Sequence, residues 1–372
     1  MKFIVSTSQL LKQLQIVGGV ISSNTVLPIL EDFLFDIQDG KLTIFATDLE
    51  NSMSTTLDVE AKTNGRIAIP AKILIETLKT LAEQPLTFNI DEKTFGVELT
   101  SDNGKYKLTG ENASDYPKIP SPEGVSTLEL ATSVLTFGIS KTLFAVSNDD
   151  LRPAMTGVYF NLSEEGLTFV STDAHKLVRY KRKDAKSDTN TSFIVPKKAL
   201  NLLKNALPND DSKAIVRYNQ SNAFFEFNNV NLICRLIDAK YPDYNAVIPL
   251  DNQNKLTIGR YDFQNSLRRI SIFSNKTTHQ VVLSIKGSEV TVSAQDLDFS
   301  NEAKETIPCS YDGENMEIGF NAKFLVEMLN VLNTDEIVLQ LSSPTKAGII
   351  VPATGDDNDD LLMLVMPVML NT

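Results

Sequence analysis

The side chains best suited to acid–base chemistry in this sequence are Asp173 and His175, in the segment TDAHKL. An aspartate beside a histidine can orient the imidazole of a general base. The chain has only two histidines, His175 and His279, so a histidine-dependent site has few possible members. The same aspartate recurs in two other segments without a histidine, which favours a turn aspartate that caps backbone amides. We interpret the pair as structural; an enzyme that uses Asp173 and His175 in a cleft remains the alternative.

Other catalytic and ligand-binding patterns are absent from the sequence. It contains no GxxxxGK[ST], GxGxxG, HExxH or GxSxG motif. Cys234 and Cys309 lack CxxC spacing, so we expect buried thiols and neither a disulfide nor a metal site. The acidic run DDNDD at 356–360 lacks the glycine and glutamate of a calcium loop and is expected to form a solvated hairpin tip. We therefore predict a protein that is not an enzyme, with no catalytic residue, metal or cofactor.

Three landmarks recur with a period of about 125 residues. The first is a turn aspartate, found at Asp48, Asp173 and Asp296. The second is a lysine that begins an apolar helical run, found at Lys72, Lys198 and Lys323. The third is a proline in a closing segment that we predict to be strand-like, found at Pro117, Pro242 and Pro367. A period of this length suits a whole domain. We predict three copies of one domain, at 1–122, 123–251 and 252–372.

Each copy reads as α+β, with two amphipathic helices packed against antiparallel sheets. A short strand precedes the first helix, which we predict at 7–20, 131–147 and 259–274. A strand pair around the turn aspartate follows, and a further strand leads into the second helix. The second helices are predicted at 71–83, 197–206 and 321–333, where apolar residues recur at helical spacing. Alternating strands close each copy, and we expect all the helices to cover one face of the sheets.

Composition predicts a water-soluble protein of the cytoplasm. The chain has 372 residues, of which 42% are hydrophobic, and none of its apolar runs is long enough for a membrane span. The N-terminal segment MKFIVSTSQLLKQLQ places polar residues where a secretory signal needs an apolar core.

Charge is unevenly distributed along the chain. The net charge is −12, yet the six predicted helices together carry +7, which leaves −19 for the remainder. A basic helical layer beside acidic sheets predicts a surface that faces a polyanion. Few aromatic residues lie among these lysines, so we favour the backbone of duplex DNA, bound without sequence preference, over stacked single strands. A β-rich repeat scaffold that does not bind DNA is the alternative, and it predicts helices without a shared basic face.

Seven short segments together resemble one known family. They are MKF at the start, LPIL at 27–30, TDLE at 47–50, TDAHKL at 172–177, YPDY at 241–244, MEIGFN at 316–321 and VMPVML at 365–370. Over its full length the chain resembles the bacterial DNA polymerase III beta subunits, the sliding clamps. The resemblance implies a head-to-tail homodimeric ring of six domains around duplex DNA, with helices lining the hole. It also implies partners that carry clamp-binding peptides: the replicative polymerase, the clamp loader, translesion polymerases and repair proteins.

The resemblance implies a peptide-binding groove between the second and third copies. By position in the family motifs, its residues are Arg152, Met155, Thr172, Ala174, His175, Lys176, Leu177, Pro242, Val247, Thr345, Leu364, Val365, Met366, Pro367, Val368 and Met369. The family has Gly, Arg and Arg where this chain has Ala174, Lys176 and Ala246, and its penultimate Arg is replaced by Met369. We therefore expect a groove mouth that is less basic and more apolar than usual. Asn371 and Thr372 extend past the usual end and could partly cover the groove.

Two further surfaces follow from the helices and from the resemblance. Cations on the helices are expected to face the duplex: Lys12, Lys72, Lys79, Lys141, Lys197, Lys198, Lys204, Arg268 and Lys323. A family arginine that contacts DNA is Asn24 here, which weakens that contact. The dimer interface is expected at Lys105, Tyr106, Lys107, Leu108, Arg269, Ile272, Phe273, Asp298, Glu302 and Glu305.

Overall fold

The computed structural model describes residues 1–22 and 26–370. Asn24 and the extension formed by Asn371 and Thr372 lie outside the described residues. The α-helices found within these ranges are α1 (Thr7–Val17), α2 (Ala71–Thr80), α3 (Thr132–Thr142), α4 (Lys197–Ala206), α5 (Arg260–Ile270) and α6 (Ala322–Asn330). None of the helices in this part of the chain is long and apolar enough to cross a membrane.

Antiparallel strands make up most of the remaining structure. The first copy contains β1 (Lys2–Ser6), β2 (Asp32–Gln38), β3 (Lys41–Thr47), β4 (Asn51–Asp58), β5 (Glu60–Ala61), β6 (Gly65–Pro70), β7 (Pro85–Asp91), β8 (Gly96–Thr100) and β9 (Lys105–Thr109). The second contains β10 (Ser126–Ala131), β11 (Gly157–Ser163), β12 (Gly166–Thr172), β13 (Lys176–Arg182), β14 (Thr191–Pro196), β15 (Lys213–Tyr218), β16 (Asn222–Phe227) and β17 (Val230–Arg235). The third contains β18 (Asn254–Gly259), β19 (Gln280–Lys286), β20 (Glu289–Asp296), β21 (Asn301–Pro308), β22 (Ser310–Asp312), β23 (Met316–Asn321), β24 (Glu336–Leu341), β25 (Gly348–Pro352) and β26 (Asp359–Val365).

The chain divides into two compact units whose boundaries pass through the second copy. The first unit comprises Met1–Thr136 and Lys198–Leu236, and the second comprises Phe137–Lys197 and Ile237–Thr372. The first unit holds a five-stranded sheet, β5-β1-β7-β8-β9, and an eight-stranded sheet, β10-β15-β16-β17-β4-β3-β2-β6. The second unit holds a nine-stranded sheet, β14-β11-β12-β13-β26-β25-β24-β18-β22, and a four-stranded sheet, β21-β20-β19-β23.

One strand pair in each unit connects two copies, and we call such a pair a joint. In the first unit β4 of the first copy pairs with β17 of the second, with Met53 opposite Leu232. In the second unit β13 of the second copy pairs with β26 of the third, with Val178 opposite Met363. Met53 and Val178 are 125 residues apart. The same position of the repeated domain therefore forms both joints.

The core of each unit follows from strand alternation. In strands such as β7 and β19 buried residues alternate with more exposed neighbours, as the period of two requires, whereas β12 is buried along its whole length. In the first unit Phe3 stacks on Phe88 with ring centroids 4.6 Å apart. In the second, Phe160 meets Phe169 edge to face at 4.7 Å. Helices α1 and α2 pack together in the first unit, and α5 and α6 pack together in the second.

The predicted α+β class and six helices are confirmed, with local differences. The first helix of each copy ends in a separate 3-10 turn, at Gly18–Val20, Leu143–Ala145 and Ser271–Phe273. The prediction of strand-like segments around Pro117 and Pro242 is wrong, because neither proline lies in a strand. The third segment is strand-like only in part: β26 ends at Val365, Val368 forms an isolated bridge with Gly319, and Pro367 lies outside both. Proline lacks the amide that a sheet ladder needs, so this placement is physically reasonable.

Two expectations about particular residues also need correction. Asp359 and Asp360 belong to strand β26 and do not lie at the solvated hairpin tip, because partners on β13 bind their carboxylates. Asp359 Oδ1 accepts a hydrogen bond from the Tyr180 hydroxyl at 2.8 Å, and Arg179 lies 3.2 Å from Asp360 Oδ2. Both cysteines are free thiols, but only Cys234 is buried; Cys309 is half-buried.

Candidate protein-binding site

The turn between β12 and β13 is fixed by its own side chains. Asp173 Oδ1 accepts hydrogen bonds from the amides of His175 and Lys176, both at 2.9 Å. Burial opposes ionisation of Asp173, but the hydrogen bonds from Lys176 and these amides outweigh it and hold its pKa below the usual value. Ala174 is held at φ 76°, in the left-handed region. Asp173 is thus a structural carboxylate that organises the turn, as the recurrence of the aspartate predicted.

Lys176 is not at the mouth of the groove. Its side chain is 6% exposed, and its Nζ lies 2.9 Å from Asp173 Oδ2 and 3.0 Å from Glu327 Oε2. The same ammonium group lies 4.3 Å from the ring centroid of Phe324. Glu327 and Phe324 belong to α6, so Lys176 ties the turn of the second copy to a helix of the third. The expectation that Lys176 sets the charge of the groove mouth is corrected, because neighbouring strand residues point to opposite faces and Lys176 faces away from Leu177.

The face that carries Leu177 is an apolar floor. Leu177 pairs with Leu364 across the joint between β13 and β26. We call the buried residues here the floor cluster; they are Val170, Leu177, Ile194, Tyr241, Ala347 and Leu364. Tyr241 stacks on the half-buried Tyr159 at 4.7 Å, and its hydroxyl donates to the carbonyl of Val170 at 3.3 Å. Both copies supply side chains to this floor.

The C-terminal tail, residues 366–370, is held by backbone contacts to the turn after β12 and to strand β23. The Met366 amide donates to the carbonyl of His175 at 2.9 Å, and the Val368 amide donates to the carbonyl of Gly319 at 2.8 Å. A Cβ atom at Gly319 would lie 2.6 Å from the carbonyl oxygen of Val368. Glycine at this position is therefore what permits the close approach of the tail.

The predicted groove residues fall into three groups. The first group is buried. In it, Leu177 and Leu364 belong to the floor, and Lys176 and Val365 lie on the opposite face of their strands. Thr172 is also buried, and its hydroxyl donates to the carbonyl of Lys176. The exposed members are Arg152, Ala174, His175, Pro242, Val247, Thr345, Met366 and Met369. The half-buried members are Met155, Pro367 and Val368.

Several floor residues escaped the sequence reasoning. Tyr159, Ile194, Tyr241 and Ala347 were not among the predicted groove residues, although they pack with Leu177. Tyr241 was within reach, because it precedes Pro242 in the YPDY segment. Nothing local marks Ile194 or Ala347: Ile194 joins the floor by pairing with Tyr159 on β11, and Ala347 lies immediately before β25.

The position in the first unit that corresponds to Leu177 is polar. Ser52 stands 125 residues before Leu177, and it is paired with Ile233 across the first joint. Ser52 Oγ lies 2.8 Å from Thr47 Oγ1, and Ser52 is 6% exposed. A hydroxyl at this position cannot anchor an apolar side chain as Leu177 can. The same backbone design therefore carries an apolar floor at one joint and a hydrogen-bonded turn at the other.

The helices keep their positive charge in the structure. The six observed α-helices carry a net charge of +8. The exposed cations among those predicted to face DNA are Lys12, Lys72, Lys79, Lys198, Lys204, Arg268 and Lys323. Lys141 and Lys197 are half-buried, with Lys197 donating to Asn148 Oδ1 at 2.8 Å.

Lys141 and Lys198 differ from the expectation. Lys141 donates to the carbonyl of Val331 at 3.3 Å, and burial lowers its pKa, so its ammonium group is directed into the second unit. Lys198 was expected to face the duplex, and its Nζ lies 2.6 Å from Asp48 Oδ2, so this cation is paired with a carboxylate. The sequence could not reveal either contact, because each joins residues more than one hundred positions apart.

The residues predicted for the dimer interface lie on the edge strands β9 and β21, on the last turn of α5, in the 3-10 turn that follows it, and in the loop between β20 and β21. Tyr106 and Leu108 are half-buried on β9, the edge strand of the five-stranded sheet. Ile272 is 64% exposed and Phe273 is 39% exposed. Strand β21 is the edge of the four-stranded sheet, where Glu305 accepts two hydrogen bonds of 2.7 Å from Arg269.

Comparison with known proteins gives consistent results for all three copies. Models of the DNA polymerase III beta subunit match residues 1–120 (N-terminal domain), 129–243 (central domain) and 245–369 (C-terminal domain). The beta sliding clamp of Haemophilus influenzae is 30% identical over 347 residues, covering 92% of this chain and 93% of that protein. The beta sliding clamp of Synechococcus elongatus is 28% identical over 382 residues, with complete coverage of both.

Solved structures agree with the sequence relatives. The sliding clamp of Pseudomonas aeruginosa bound to griselimycin superimposes with a TM-score of 0.94 at 26% identity, with both chains covered completely. The beta subunit of Thermotoga maritima gives a TM-score of 0.90 at 26% identity, again over both complete chains. Three matched domains, full-length relatives and the shared fold lead to one conclusion: this chain belongs to the DNA polymerase III beta subunit family, the bacterial sliding clamps.

Proposed function

We propose that this protein is a processivity clamp that encircles duplex DNA as a homodimer and tethers the replicative polymerase in the cytoplasm. The observation that carries the proposal is the match of all three copies to the three domains of one clamp family. The role is mechanical, without catalysis of its own. Asp173, the best candidate for an acid–base group, is bound by two amides and by Lys176.

The DNA-facing surface is assigned to the exposed helix cations other than Lys198. A clamp that slides cannot hold one register, so these contacts are few, mobile and weakened by salt. Replacing Lys12, Lys204 and Lys323 with glutamate should leave folding unchanged and reduce retention on circular primed DNA. The matched control replaces Lys62, Lys93 and Lys118, which are exposed outside the helices. Equal retention of the two triple variants at physiological salt would contradict the assignment.

The groove is proposed to receive clamp-binding peptides of the polymerase, the clamp loader, translesion polymerases and repair proteins. Support comes from the apolar floor and from the exposed apolar side chains of Met366, Met369 and Val247, a composition typical of adaptable peptide sites. The Pseudomonas aeruginosa relative was solved with griselimycin bound. Deleting residues 368–372 removes one wall and should abolish binding of a polymerase-derived peptide while dimerisation persists. Unchanged affinity would refute the assignment, and Met155→Ala should cost about 1–3 kcal/mol of binding free energy.

We propose that the dimer forms through strand pairing of the same kind as at the two joints, but between two different chains. Tyr106 lies in a cross-strand row with Phe3, Phe88 and Leu99. Leu232 holds the place of Tyr106 in the second copy, and it pairs with Met53 at the first joint. Met363 holds the same place in the third copy, and it pairs with Val178 at the second joint. One further period of 125 residues leads from Val178 to Ala303 on the edge strand β21.

The repeated joint gives a register for the dimer contact. Tyr106 of one subunit faces Ala303 of the other, and Lys107 faces Glu302. An opposite-charge pair at this place adds orientation more than affinity. Pairing also covers two exposed strand edges. Ile272→Ala with Phe273→Ala should yield a folded monomer, because both side chains are exposed at the edge. Sedimentation decides: a monomeric wild-type protein, or a double variant that stays dimeric at micromolar concentration, would contradict this interface.

A further inference from the structure

The segment that joins the second and third copies, residues 251–254, binds the loop 342–347 between β24 and β25. We call this segment the strap. Asn252 Nδ2 donates one hydrogen bond to the carbonyl of Gln340 on β24 and one to the carbonyl of Ala347, both at 3.0 Å. Ala347 is the last residue of the loop, so a single amide group spans the base of the loop.

Two further contacts hold the strap against the loop. Asn254 Nδ2 donates to the carbonyl of Ser342 at 3.4 Å, and Lys346 Nζ lies 3.1 Å from Asp251 Oδ2. Both partners of the ion pair are exposed, so it contributes little to stability. Asn252, with two shorter hydrogen bonds than that of Asn254, is therefore the main contact between the strap and the loop.

The orientation of the Asn252 amide group is determined by its partners. Two carbonyl oxygens face Nδ2, and the reversed group would place its own oxygen against both of them. Asn252 Oδ1 is buried and has no hydrogen-bond partner in the described part of the chain. An unpaired buried oxygen lowers stability. The side chain is thus suited to fixing the loop more than to stabilising its own surroundings.

The first unit lacks this arrangement at the corresponding place. The loop between β15 and β16 corresponds to the loop between β24 and β25, and it has three residues, 219–221, where the third copy has six. Gly124 stands two residues before β10, as Asn252 stands two residues before β18. Glycine has no side-chain amide. The long loop and the asparagine that holds it therefore occur together, in the unit that contains the floor cluster.

Both the loop and the segment before the strap lead to the proposed groove. Ala347 belongs to the floor cluster, and Ile248 packs against that cluster. Thr345, one of the predicted groove residues, is exposed on the loop. Fixing the base of the loop therefore fixes Thr345 and Ala347 relative to the floor.

We propose that Asn252 is a positioning residue for peptide recognition, which holds the loop 342–347 as a preformed wall of the groove. The inference rests on the proposed peptide-binding function and adds a residue that acts without touching the peptide. Without the amide group the loop has more conformations available, and a bound peptide must order it. The affinity then falls although the floor is intact.

The main test is Asn252→Asp, which keeps the size of the side chain but turns a carboxylate towards two carbonyl oxygens. At about pH 7.5 we expect the dissociation constant of a labelled polymerase-derived peptide, measured by fluorescence anisotropy, to rise about tenfold or more. Burial and the carbonyl oxygens favour the protonated carboxyl group, which can donate to one carbonyl again. The ratio of the variant's constant to that of wild type should therefore shrink at about pH 5. Asp251 stays ionised over this range, because Lys346 holds its pKa below the usual value.

Two other variants separate positioning from a general loss of stability. Asn252→Ala removes the donors without adding a charge, so its loss of affinity should not depend on pH. Asn219→Asp is the matched control, because Asn219 Nδ2 joins a loop to the segment between copies in the first unit, by a bond of 3.2 Å to the carbonyl of Glu123. That unit does not contain the floor cluster, so we expect unchanged peptide binding. Hydrogen exchange should be faster in the loop 342–347 of both Asn252 variants and unchanged in β12 and β13.

The outcomes distinguish this inference from the proposed function. A wild-type protein that does not bind the peptide would defeat the proposed groove itself. If wild type binds the peptide and both Asn252 variants bind it equally well, the positioning role alone is overturned. An equal loss of affinity in Asn219→Asp, or faster exchange throughout β12 and β13, would also overturn it, because the substitutions would then act through the stability of the whole fold.

Discussion

Lys176→Met tests whether this lysine braces the groove or takes part in binding. Methionine keeps the apolar stem but removes the ammonium group that lies 2.9 Å from Asp173 and 3.0 Å from Glu327. The Asp173 side chain is 19% exposed and that of Glu327 is 42% exposed, so solvent screens part of the interaction. Loss of a fully buried pair costs about 3–5 kcal/mol, and with this exposure we expect about 1–3 kcal/mol of lost unfolding free energy.

The pH dependence of the same variant has a definite sign. Asp173 ionises more easily in the folded state than in the unfolded chain, so it stabilises the fold above its unfolded pKa and loses that contribution as acid protonates it. Removing the Lys176 amine raises the folded pKa of Asp173, because its main stabilising partner is gone. The stability difference between wild type and Lys176→Met should therefore shrink as the pH falls below about 4.

Urea unfolding and peptide titration together decide the matter. The control is Lys181→Met, because Lys181 binds Glu165 at 2.9 Å but the Glu165 side chain is 83% exposed. We expect that control to change stability by less than about 0.5 kcal/mol. A brace predicts a large loss of stability with a smaller loss of peptide affinity. The reasoning would be refuted if Lys176→Met unfolded like wild type and yet no longer bound peptide.

Three further variants test local features of the fold. Burial, with Glu111 and Glu31 nearby, raises the pKa of Asp32 to about 7. The folded state therefore holds a proton that the unfolded chain releases near pH 4, so the free energy of unfolding falls as the pH rises from about 4 to 7. Asp32→Asn should abolish that fall, as measured by urea unfolding at a series of pH values. Ala174→Gly relieves a left-handed backbone and should raise unfolding free energy by about 0.5–1 kcal/mol, whereas a decrease would show that the turn is unstrained. Gly319→Ala should displace the tail, weaken peptide binding and speed carboxypeptidase digestion, while Gly355→Ala, whose added Cβ meets nothing within 4 Å, should change neither.

The repeat and the α+β class could be predicted from the sequence because they rest on local signals. A turn aspartate needs only its own next amides, as the hydrogen bonds at Asp48 and Asp173 demonstrate. Helical periodicity is likewise local, and all six helices lie within the predicted ranges. The boundaries shifted by a few residues, because 3-10 turns continue the same apolar face at the end of the first helices.

The side-chain roles of the cations were predicted less well. Lys12, Lys198 and Lys141 look alike in sequence, each on an amphipathic helix with few acids nearby. The structure separates them: Lys12 is exposed, Lys198 binds Asp48, and Lys141 donates to the carbonyl of Val331. Their partners lie 150 and 190 residues away in the chain, so no local pattern encodes the difference.

The sequence by itself determined the number of copies, the fold class and, through motifs spread over the whole chain, the family. The family motifs also contain Leu177 and Leu364, which the structure pairs across the second joint. Tertiary structure alone decided which face of β13 each residue takes, and so moved Lys176 from the groove mouth to a buried contact with Glu327. The reason is physical: strand register fixes every side chain to one face, and register is set by pairing between strands far apart in sequence.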